Sequence, residues 1–272
     1  MPELPEVESA RAVIAELALG RRIVDVDDTD TYECRPHRPG DIRAAMVGRR
    51  LTAAHRRGKT MWCETSGAGR SRTPGPVLGL HLGMSGKIVA VAPDGQENDG
   101  GDYWQRGREQ GDQRFTRFAL SFADGGGLLL VDPRRLGRVR LDPDVEGLGP
   151  DAAEVTWEEF RALLSRGTAP VKARLLDQNA LAGVGNLLAD QLLWHARVDP
   201  RRPVDSLTRP QVRRLYEAVH ATIAEAVAGG GVHTLEVVPF RKAGARCPRC
   251  GAAMQRGTVG TRTTWWCSRE QR

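Results

Sequence analysis

The sequence is poor in the features that mark membrane and secreted proteins. None of its apolar runs approaches the roughly 20 residues that a helix needs to span a bilayer. The N-terminal residues, Met1 to Glu6, are acidic and poor in apolar side chains, so they do not indicate a secretory signal. Five cysteines without such a signal do not indicate a disulfide scaffold. These absences predict a soluble cytoplasmic protein without a membrane partner.

Lysine is also scarce, and arginine takes its place. Only 4 of the 40 basic residues are lysines, and with 34 acidic residues the net charge is +6 and the pI is near 9.4. Arginine presents a planar fork that fits phosphate groups and guanine edges better than lysine does. Charge alone leaves two interpretations open, a nucleic-acid-binding surface and a codon bias toward arginine. A hydrophobic content of 40% supports a folded core, and 272 residues suggest two domains.

The first half of the chain is predicted to be one helix followed by β-structure. Apolar residues at helical spacing predict a helix over 5–19, which Gly20 ends. Residues 94–112, which are rich in glycine, glutamine and charge, are expected to form a surface loop. Short apolar runs bounded by glycine, proline and aspartate predict strands, among them 77–82, 87–91, 118–122 and 128–131.

The second half is predicted to be helical with a short β-tail. Residues 142–151 combine proline, glycine and aspartate, which indicates a linker. Three consecutive glycines from Gly229 end the last helix, and a tail with three cysteines follows from residue 235. Apolar spacing predicts four helices, over 156–166, 170–181, 187–196 and 208–228.

Pro2 and Glu3 form a candidate catalytic pair. Removal of Met1 is expected because Pro2 is small, and it would leave a free secondary amine. An α-amino group has a pKa of about 7.7–8, so a fraction is neutral and nucleophilic near pH 7. Such an amine attacks an aldehydic carbon to give an iminium, and the neighbouring Glu3 could transfer protons. Taken alone, a proline here is more often a tolerated second residue than a nucleophile.

Six motifs follow one another between residues 2 and 267. They are Pro2 to Glu8 (PELPEVE), Arg57 to Lys59 (RGK), His81 to Gly86 (HLGMSG), Asp132 to Gly137 (DPRRLG), Leu176 to Asn186, and Cys247 to Cys267. In sequence and order they resemble the motifs of formamidopyrimidine-DNA glycosylases, the bacterial base-excision enzymes for oxidised purines. Their extent over nearly the whole chain is far more specific than any one motif.

The resemblance implies a reaction and a role for five residues. Pro2 matches the proline that attacks the sugar C1′ and displaces the base, and Glu3 matches the glutamate that protonates the sugar oxygen. Glu6 matches a glutamate of the lesion pocket. Lys59 matches a lysine that binds phosphate and assists strand cleavage, and Arg262 matches an arginine that holds the same phosphates and serves the second elimination. The implied activity is that of a bifunctional DNA glycosylase and abasic-site lyase, which removes 8-oxoguanine and formamidopyrimidines and then cleaves by β,δ-elimination.

The resemblance also implies how the protein binds double-stranded DNA with damaged bases or abasic sites. The damaged nucleotide must leave the stack, which costs a few kcal/mol, and protein side chains fill the void. Three residues match the void-filling set, Met84, Arg134 and Leu136. The family usually has phenylalanine at the last position, so leucine loses aromatic stacking surface. Three polar residues are expected to contact DNA, Arg117, Arg135 and Asn186. A monomer associated with the nucleoid is expected.

The implied fold is α+β with three parts. An N-terminal β-sandwich with a leading helix is expected over 1–141, and a helical domain with a helix–two-turn–helix over 142–234. A zinc-finger-like β-hairpin is expected over 235–272. DNA is expected to lie in a basic cleft between the halves.

The C-terminal tail departs from a four-cysteine finger. Cys247, Cys250 and Cys267 match three ligands, but Glu270 stands at the fourth position. Structural zinc sites use mostly cysteine and histidine, so a site with three cysteines and a glutamate is a weaker ligand set. Zinc is expected. A hairpin held by packing without metal, or a fourth ligand from elsewhere, are the alternatives.

Two departures leave the lesion class open. The segment 229–242 lacks the long loop that purine-specific members fold over the flipped base, and Gln191 stands where many members have glutamate. Relatives of the endonuclease VIII type, which favour oxidised pyrimidines, lack an ordered cap as well. Oxidised purines are expected, and oxidised pyrimidines or hydantoins are the alternative. A non-catalytic damaged-DNA-binding protein and a ribosome-associated RNA-binding protein are further alternatives, but neither needs a free N-terminal amine.

Overall fold

The structure, a computed structural model, describes residues 2–69, 71, 73–101 and 113–272, leaving out the side chain of Gln113. Within these ranges the chain forms two compact units. Pro2 and residues 6–146 form the first unit, and residues 3–5 and 147–272 form the second. No helix in the described ranges has the length and apolar character needed to cross a membrane.

The first unit is built from one long helix and two antiparallel sheets. Helix α1 spans Leu4–Leu17, and a short helix α2 spans Asp41–Met46. One sheet has the order β1 (Ile23–Asp27), β7 (Thr116–Phe122), β8 (Gly127–Val131), β5 (Lys87–Val91) and β6 (Glu97–Gly101). The other has the order β2 (Leu51–Arg57), β3 (Thr60–Thr65), β4 (Leu78–His81) and β9 (Arg138–Leu141).

Side chains from both sheets and from α1 share one hydrophobic core. In β7 the burial alternates, so that Phe118, Leu120 and Phe122 are buried. They pack in one cluster with residues of α1 and of the other sheet, among them Val7, Ile14, Leu51, Met61 and Leu80. The predicted β-sandwich with a leading helix is therefore confirmed.

The surface loop predicted over 94–112 is wrong for residues 97–101. These residues form β6, which pairs with β5 from Glu97↔Val91 to Gly101↔Lys87. Main-chain hydrogen bonds hold this edge strand, and its exposed side chains carry no apolar signal that the sequence could have shown. The rest of the predicted loop, 102–112, lies outside the described residues.

The second unit is helical and ends in a β-hairpin. Its helices are α3 (Trp157–Leu164), α4 (Val171–Leu176), α5 (Asn186–Ala196) and α6 (Arg209–Gly229). Capping boxes start two of them, at Thr156 for α3 and at Thr208 for α6. Strands β10 (Met254–Val259) and β11 (Arg262–Cys267) form the hairpin. The helices share a core that includes Phe160, Leu175, Leu188, Leu192 and Leu215.

The helix predicted over 170–181 is wrong in its second half, because α4 ends at Leu176. The Gln178 side chain replaces the lost helical hydrogen bonds: its amide donates to the carbonyls of Leu176 at 2.9 Å and Val184 at 3.0 Å. Its Oε1 accepts from the backbone N–H of Gly183 at 3.0 Å. The turn held by Gln178 leads the chain to the first residue of α5.

Candidate active site

The Glu3 carboxylate binds the N-terminus of α5. Its Oε1 accepts from the backbone N–H of Leu187 at 2.8 Å, and its Oε2 accepts from that of Leu188 at 3.0 Å. The residue that precedes the helix is Gly185, which has no side chain to satisfy these amides. A negative charge is also favoured at the positive end of a helix. Glu3 is 1% exposed, so this buried carboxylate has one fixed orientation.

Gly185 is needed for the position of Glu3. A Cβ atom added at Gly185 would lie 2.2 Å from the Glu3 Cδ and 2.5 Å from its Oε1. The backbone N–H of Leu4 also donates to the carbonyl of Gly183 at 3.2 Å. The glycines of the Gly-Val-Gly-Asn turn therefore let the third residue of the chain approach α5.

Asn186, the first residue of α5, is held by a buried lysine. Its Oδ1 accepts from Lys172 Nζ at 2.7 Å. Because an ammonium group has only donors, this bond fixes the orientation of the amide and leaves its NH₂ group as a donor. A partly exposed amide donor at a helix N-terminus is suited to bind an anion such as phosphate.

Lys172 and Asp190 were not predicted from the sequence. Lys172 is fully buried, and its Nζ also donates to Asp190 Oδ1 at 2.6 Å and to Thr264 Oγ1 at 2.9 Å. Burial lowers the pKa of this ammonium, and the Asp190 carboxylate opposes that shift. Asp190 accepts a further bond from Arg241 Nε at 2.8 Å. The available signal was the spacing of Asn186 and Asp190, because residues four apart lie on one helix face.

Lys59 and Arg262 both lie at hairpin turns, each in its own unit. Residues Gly58 and Lys59 connect the paired ends of β2 and β3, and Lys59 is partly exposed. Arg262 begins β11 directly after a two-residue turn, in which Gly260 has φ 59°, and it is exposed. A hairpin tip presents a side chain while the strands fix its backbone, so both cations suit a contact to phosphate.

Pro2 and Glu6 are buried near the start of α1. Pro2 lies two residues before the helix begins, and Glu6 lies in its first turn and is 1% exposed. Glu6 is therefore a buried carboxyl group at the N-terminal end of α1.

The three residues expected to fill the void lie on two adjoining loops. Met84 is 39% exposed and Arg134 is exposed, whereas Leu136 is partly buried. The loops approach closely at Gly83, where an added Cβ would lie 2.4 Å from the carbonyl carbon of Leu136. Gly83 has φ 59°, which favours glycine, and its N–H donates to His81 Nδ1 at 3.0 Å.

Two of the arginines expected to contact DNA are anchored to Asp30. Arg135 Nη2 donates to Asp30 Oδ1 at 2.8 Å, and its backbone has φ 53°. Arg117 Nε donates to the Asp132 carbonyl at 2.9 Å, and its Nη1 lies 3.9 Å from Asp30 Oδ2. Arg135 is 47% exposed and Arg117 is 17% exposed. Arg135 is therefore exposed at the surface. Arg117 is mostly buried and supports the loop of residues 132–137 through its bond to the Asp132 carbonyl.

Three cysteine sulfurs in the second unit form a cluster that fits a soft metal ion. The Sγ atoms of Cys247, Cys250 and Cys267 all lie within 4.8 Å of one another, and those of Cys250 and Cys267 are 3.4 Å apart. Thiolates are typical ligands of Zn²⁺ in structural sites. The Trp194 indole N–H donates to Cys247 Sγ at 3.3 Å. Glu270 instead accepts from Arg249 Nη1 at 2.9 Å, while its backbone N–H lies 3.5 Å from Cys267 Sγ.

Gln191 binds the segment that follows α6. Its Oε1 accepts from the backbone N–H of Val237 at 2.8 Å, and its Nε2 lies 3.2 Å from His195 Nε2. The segment itself contains two 3₁₀ turns, Val232–Thr234 and Val238–Phe240. Because Gln191 is fully buried, it acts as a packing residue of α5 in this chain.

Comparison with known proteins covers both units. The family model described as the formamidopyrimidine-DNA glycosylase N-terminal domain matches residues 1–139, and the H2TH domain of the same enzymes matches residues 147–236. The formamidopyrimidine-DNA glycosylase of Chloroflexus aurantiacus is 31% identical over 290 residues, which cover 98% of this chain and 96% of the relative. That of Alkalilimnicola ehrlichii is 33% identical over 297 residues, which cover both chains completely.

Solved structures of DNA complexes have the same fold. A structure of MutM in complex with DNA containing carbocyclic 8-oxo-G aligns with a TM-score of 0.80 at 25% identity and covers both chains completely. A Lactococcus lactis Fpg complex with DNA containing an oxidised pyrimidine aligns with a TM-score of 0.79 at 25% identity, again over both whole chains.

Proposed function

Because this chain belongs to the formamidopyrimidine-DNA glycosylase family, we propose that it excises damaged bases through the secondary amine of Pro2. The protein is a DNA glycosylase and abasic-site lyase of base-excision repair, and its partner is damaged double-stranded DNA. The observation that carries the proposal for Pro2 is the Glu3 carboxylate, which two amides of α5 fix one residue away.

The proposed reaction begins when the Pro2 nitrogen attacks C1′ of the damaged nucleotide. The new N–C1′ bond replaces the glycosidic bond, and the base leaves with the bonding electron pair and a proton. Glu3 is the proposed proton donor to the sugar ring oxygen, so that the ring opens to an iminium. The iminium acidifies the C2′ proton, whose removal breaks the C3′–O bond, and a second elimination breaks the C5′–O bond. Hydrolysis of the iminium returns the amine.

Asn186, Lys59 and Arg262 are proposed to bind DNA phosphates near the lesion. Each presents a donor or a positive charge from a fixed element: a helix N-terminus for Asn186 and a hairpin turn for each cation. Met84, Arg134 and Leu136 are proposed to enter the stack, and Arg135 and Arg117 are proposed to contact the DNA beside this loop. Glu6 is proposed to line the lesion pocket. Association with the nucleoid is proposed on the basis of this DNA binding.

The proposed lesions are oxidised purines, 8-oxoguanine and formamidopyrimidines. A second candidate class, oxidised pyrimidines or hydantoins, is favoured by one observation. The segment between α6 and the hairpin contains two short 3₁₀ turns, and Val237 in it is tied to the buried Gln191. A segment held in this way has little length left to fold over a flipped purine.

The proposed metal ion is a structural Zn²⁺ bound by Cys247, Cys250 and Cys267. Glu270 is the proposed fourth ligand, and it would have to exchange its bond to Arg249 for the metal. Zinc bound here would supply a fixed crosslink between the two ends of the tail. The hairpin carries Arg262 five residues before Cys267, so the proposed role of the metal is to hold that arginine in place.

Borohydride trapping tests the proposed nucleophile and the lesion class together. Three duplexes carry 8-oxoguanine opposite cytosine, an oxidised pyrimidine opposite adenine, or an abasic site. Borohydride reduces the iminium to a stable amine, so we expect a covalent protein–DNA adduct of one-to-one mass on at least the abasic duplex. The adduct should be lost in Pro2→Gly and retained in the control Pro93→Gly, which makes the same change in an exposed turn.

The duplex that is trapped fastest identifies the lesion class. Faster trapping on the 8-oxoguanine duplex supports the purine assignment, and faster trapping on the pyrimidine duplex replaces it with the second candidate. If Pro2→Gly releases base and forms adduct at the wild-type rate, the nucleophile is not Pro2. If wild type with a processed N-terminus, verified by mass spectrometry, traps none of the duplexes, the protein binds damage without excising it.

A further inference from the structure

A carboxyl group without an assigned role lies beneath the loop of residues 132–137. Glu33 follows β1 in the chain and is fully buried. Its Oε1 accepts from the backbone N–H of Gly137 at 3.2 Å, and its backbone carbonyl accepts from Val139 at 3.0 Å. Its Oε2 is buried without a hydrogen-bond partner among the described residues. An unpaired carboxylate oxygen in a core is costly, which points to a missing proton.

Asp132, the neighbour of Glu33, ties together the two loops that carry the proposed void-filling residues. Its carboxylate accepts from Ser85 Oγ at 2.5 Å and from the backbone N–H of Arg134 at 3.0 Å. It also accepts from the backbone N–H groups of Leu136 and Gly137, both at 2.8 Å. Ser85 follows Met84 in one loop, and the three amides belong to the other. The Asp132 carboxylate therefore sets the distance between the two loops.

The Glu33 and Asp132 carboxyl groups accept from the same backbone N–H, that of Gly137, at 3.2 and 2.8 Å, which brings them close enough for a hydrogen bond to each other. Two carboxylates cannot make that bond, because neither has a hydrogen to donate. Asp132 already accepts four donors, which favours its ionised form, whereas Glu33 accepts one. The proton therefore resides on Glu33. Burial, followed by the bond to Asp132 and its charge, raises the pKa of Glu33 to about 8.

The other charged groups around Glu33 are already paired or distant from the shared proton. Asp30 is engaged by Arg135 at 2.8 Å and by Arg117 at 3.9 Å, and its negative charge adds to the rise in the pKa of Glu33. From β4, the His81 carbonyl faces Gly137. Burial and the charges of Lys59 and Arg140 lower the pKa of the His81 ring. Its neutral ring does not offset a negative charge on Glu33.

We propose that Glu33 is a positioning residue of the DNA-inserting loops. Its protonated carboxyl group donates a hydrogen bond to Asp132 and so holds the loops in place, and ionisation of Glu33 releases them. This inference rests on the proposed function of Met84, Arg134 and Leu136. Below pH 8 Glu33 is neutral and donates to Asp132. Above pH 8 the Glu33 and Asp132 carboxyl groups are both negatively charged and repel each other. The backbone N–H groups of Leu136 and Gly137 then lose Asp132 as a well-placed acceptor.

Binding to an abasic-site analogue tests the proposal without base-excision chemistry. The probe is a duplex with one tetrahydrofuran residue opposite cytosine, and an undamaged duplex serves as reference. We measure affinities from pH 6.5 to 9.5 at one salt concentration for wild type, Glu33→Gln and a control. The control is Glu97→Gln, which changes an exposed acid on β6. Glutamine keeps a neutral donor toward Asp132 and cannot ionise.

The quantity compared is the affinity of wild type for the tetrahydrofuran duplex divided by the affinity of Glu33→Gln. We expect this ratio to fall about thirtyfold between pH 7 and 9.5, because the protonated fraction of Glu33 falls tenfold with each pH unit above its pKa. Glu97→Gln should follow wild type. Parallel pH profiles for wild type and Glu33→Gln overturn the positioning role while leaving the proposed function intact. Equal affinity for damaged and undamaged duplexes at every pH is instead a failure of the proposed function.

A second measurement needs only the wild-type protein and covers the case in which Glu33→Gln does not fold. Hydrogen–deuterium exchange of the peptides that contain 132–137 and 83–86 is compared at pH 7 and 9, after correction for the intrinsic rates. Both peptides should lose protection at pH 9, and a peptide from α6 should not. Unchanged protection of both loops contradicts the proposal.

Discussion

The contact between Glu3 and Gly185 shows how one missing side chain controls the proposed proton donor. The Glu3 carboxylate occupies the place where a Cβ of residue 185 would lie, 2.2 Å from Cδ. A Cβ at this position would therefore displace the carboxylate from the two amides of α5. The glycine is therefore part of the proposed catalytic geometry, although it offers no reactive group.

Gly185→Ala is expected to reduce base excision by about a hundredfold, because a catalytic group displaced by 1 Å can cost that much. Single-turnover excision rates on the preferred lesion measure the effect, and thermal unfolding checks the fold. Gly147→Ala is the control, since an added Cβ there meets nothing within 4 Å. Wild-type excision by Gly185→Ala would exclude the fixed Glu3 carboxylate as a participant.

At the same scale, the sequence located the proposed reactive residues but not their buried partners. Pro2, Glu3 and Lys59 lie in short motifs that can be recognised without a structure. Glu33 and Lys172 cannot be found in this way, because they interact with residues that a short motif does not contain. Asp132 lies far from Glu33 in the chain, and Asp190 lies on a different helix from Lys172. An isolated charged residue in a sequence is most often exposed.

Among the elements, α4, α5 and the hairpin are joined through one buried ammonium group. Lys172 on α4 donates to Asn186 and Asp190 on α5 and to Thr264 on β11. Asp190 reaches back to the hairpin through the backbone N–H of Trp265 at 3.2 Å. A charge network of this kind orients the Asn186 amide and fixes the hairpin that carries Arg262.

Lys172→Met is expected to lower the free energy of unfolding of the second unit by about 3–5 kcal/mol, because it leaves the charge of Asp190 buried with one partner fewer. Thermal or urea unfolding measures this loss, and tetrahydrofuran-duplex binding should weaken in parallel. Lys242→Met removes an exposed lysine of the same unit and should be close to neutral. The network has no energetic role if the two variants are equally stable.

Element positions followed from the sequence where side-chain periodicity alone decides them. The helix over 187–196 and the strand over 87–91 agree with α5 and β5. The errors lie where another interaction decides. Gln178 ends α4 through its own hydrogen bonds, and β6 forms through main-chain pairing with exposed polar side chains. Neither interaction leaves a periodic pattern.

For the whole molecule, the proposed zinc site links the stability of the tail to DNA binding. The three sulfurs come from both sides of the β10–β11 hairpin, so a metal ion bound to them would close a loop of about twenty residues. Trp194 on α5 contacts the cluster through Cys247, which places a fluorescent reporter beside it.

Removal of the metal with a chelator is expected to weaken tetrahydrofuran-duplex binding at least tenfold and to change tryptophan emission. Elemental analysis should give one zinc per chain in wild type and in the control Cys34→Ala, which alters a buried thiol outside the cluster. Cys250→Ser should lose the metal. Full DNA affinity in a zinc-free protein would show that packing alone holds the hairpin, and retained zinc in Glu270→Ala would assign the fourth ligand elsewhere.

The family and fold class of the whole molecule could be predicted from the sequence because six motifs in order are improbable by chance. The lesion class could not, since the proposal for it turns on how the segment after α6 packs on a buried glutamine and not on a motif. The fourth metal ligand could not either, because Glu270 has both a metal cluster and an arginine within reach.

The Asp132 carboxylate has a consequence for how such proteins diverge. It accepts from both loops that are proposed to insert into DNA, and the loops meet backbone to backbone at Gly83 and Leu136. A loop transplanted alone from a relative would therefore arrive without its counterpart. We therefore expect the two loops and Glu33 to be exchangeable between relatives only as a set.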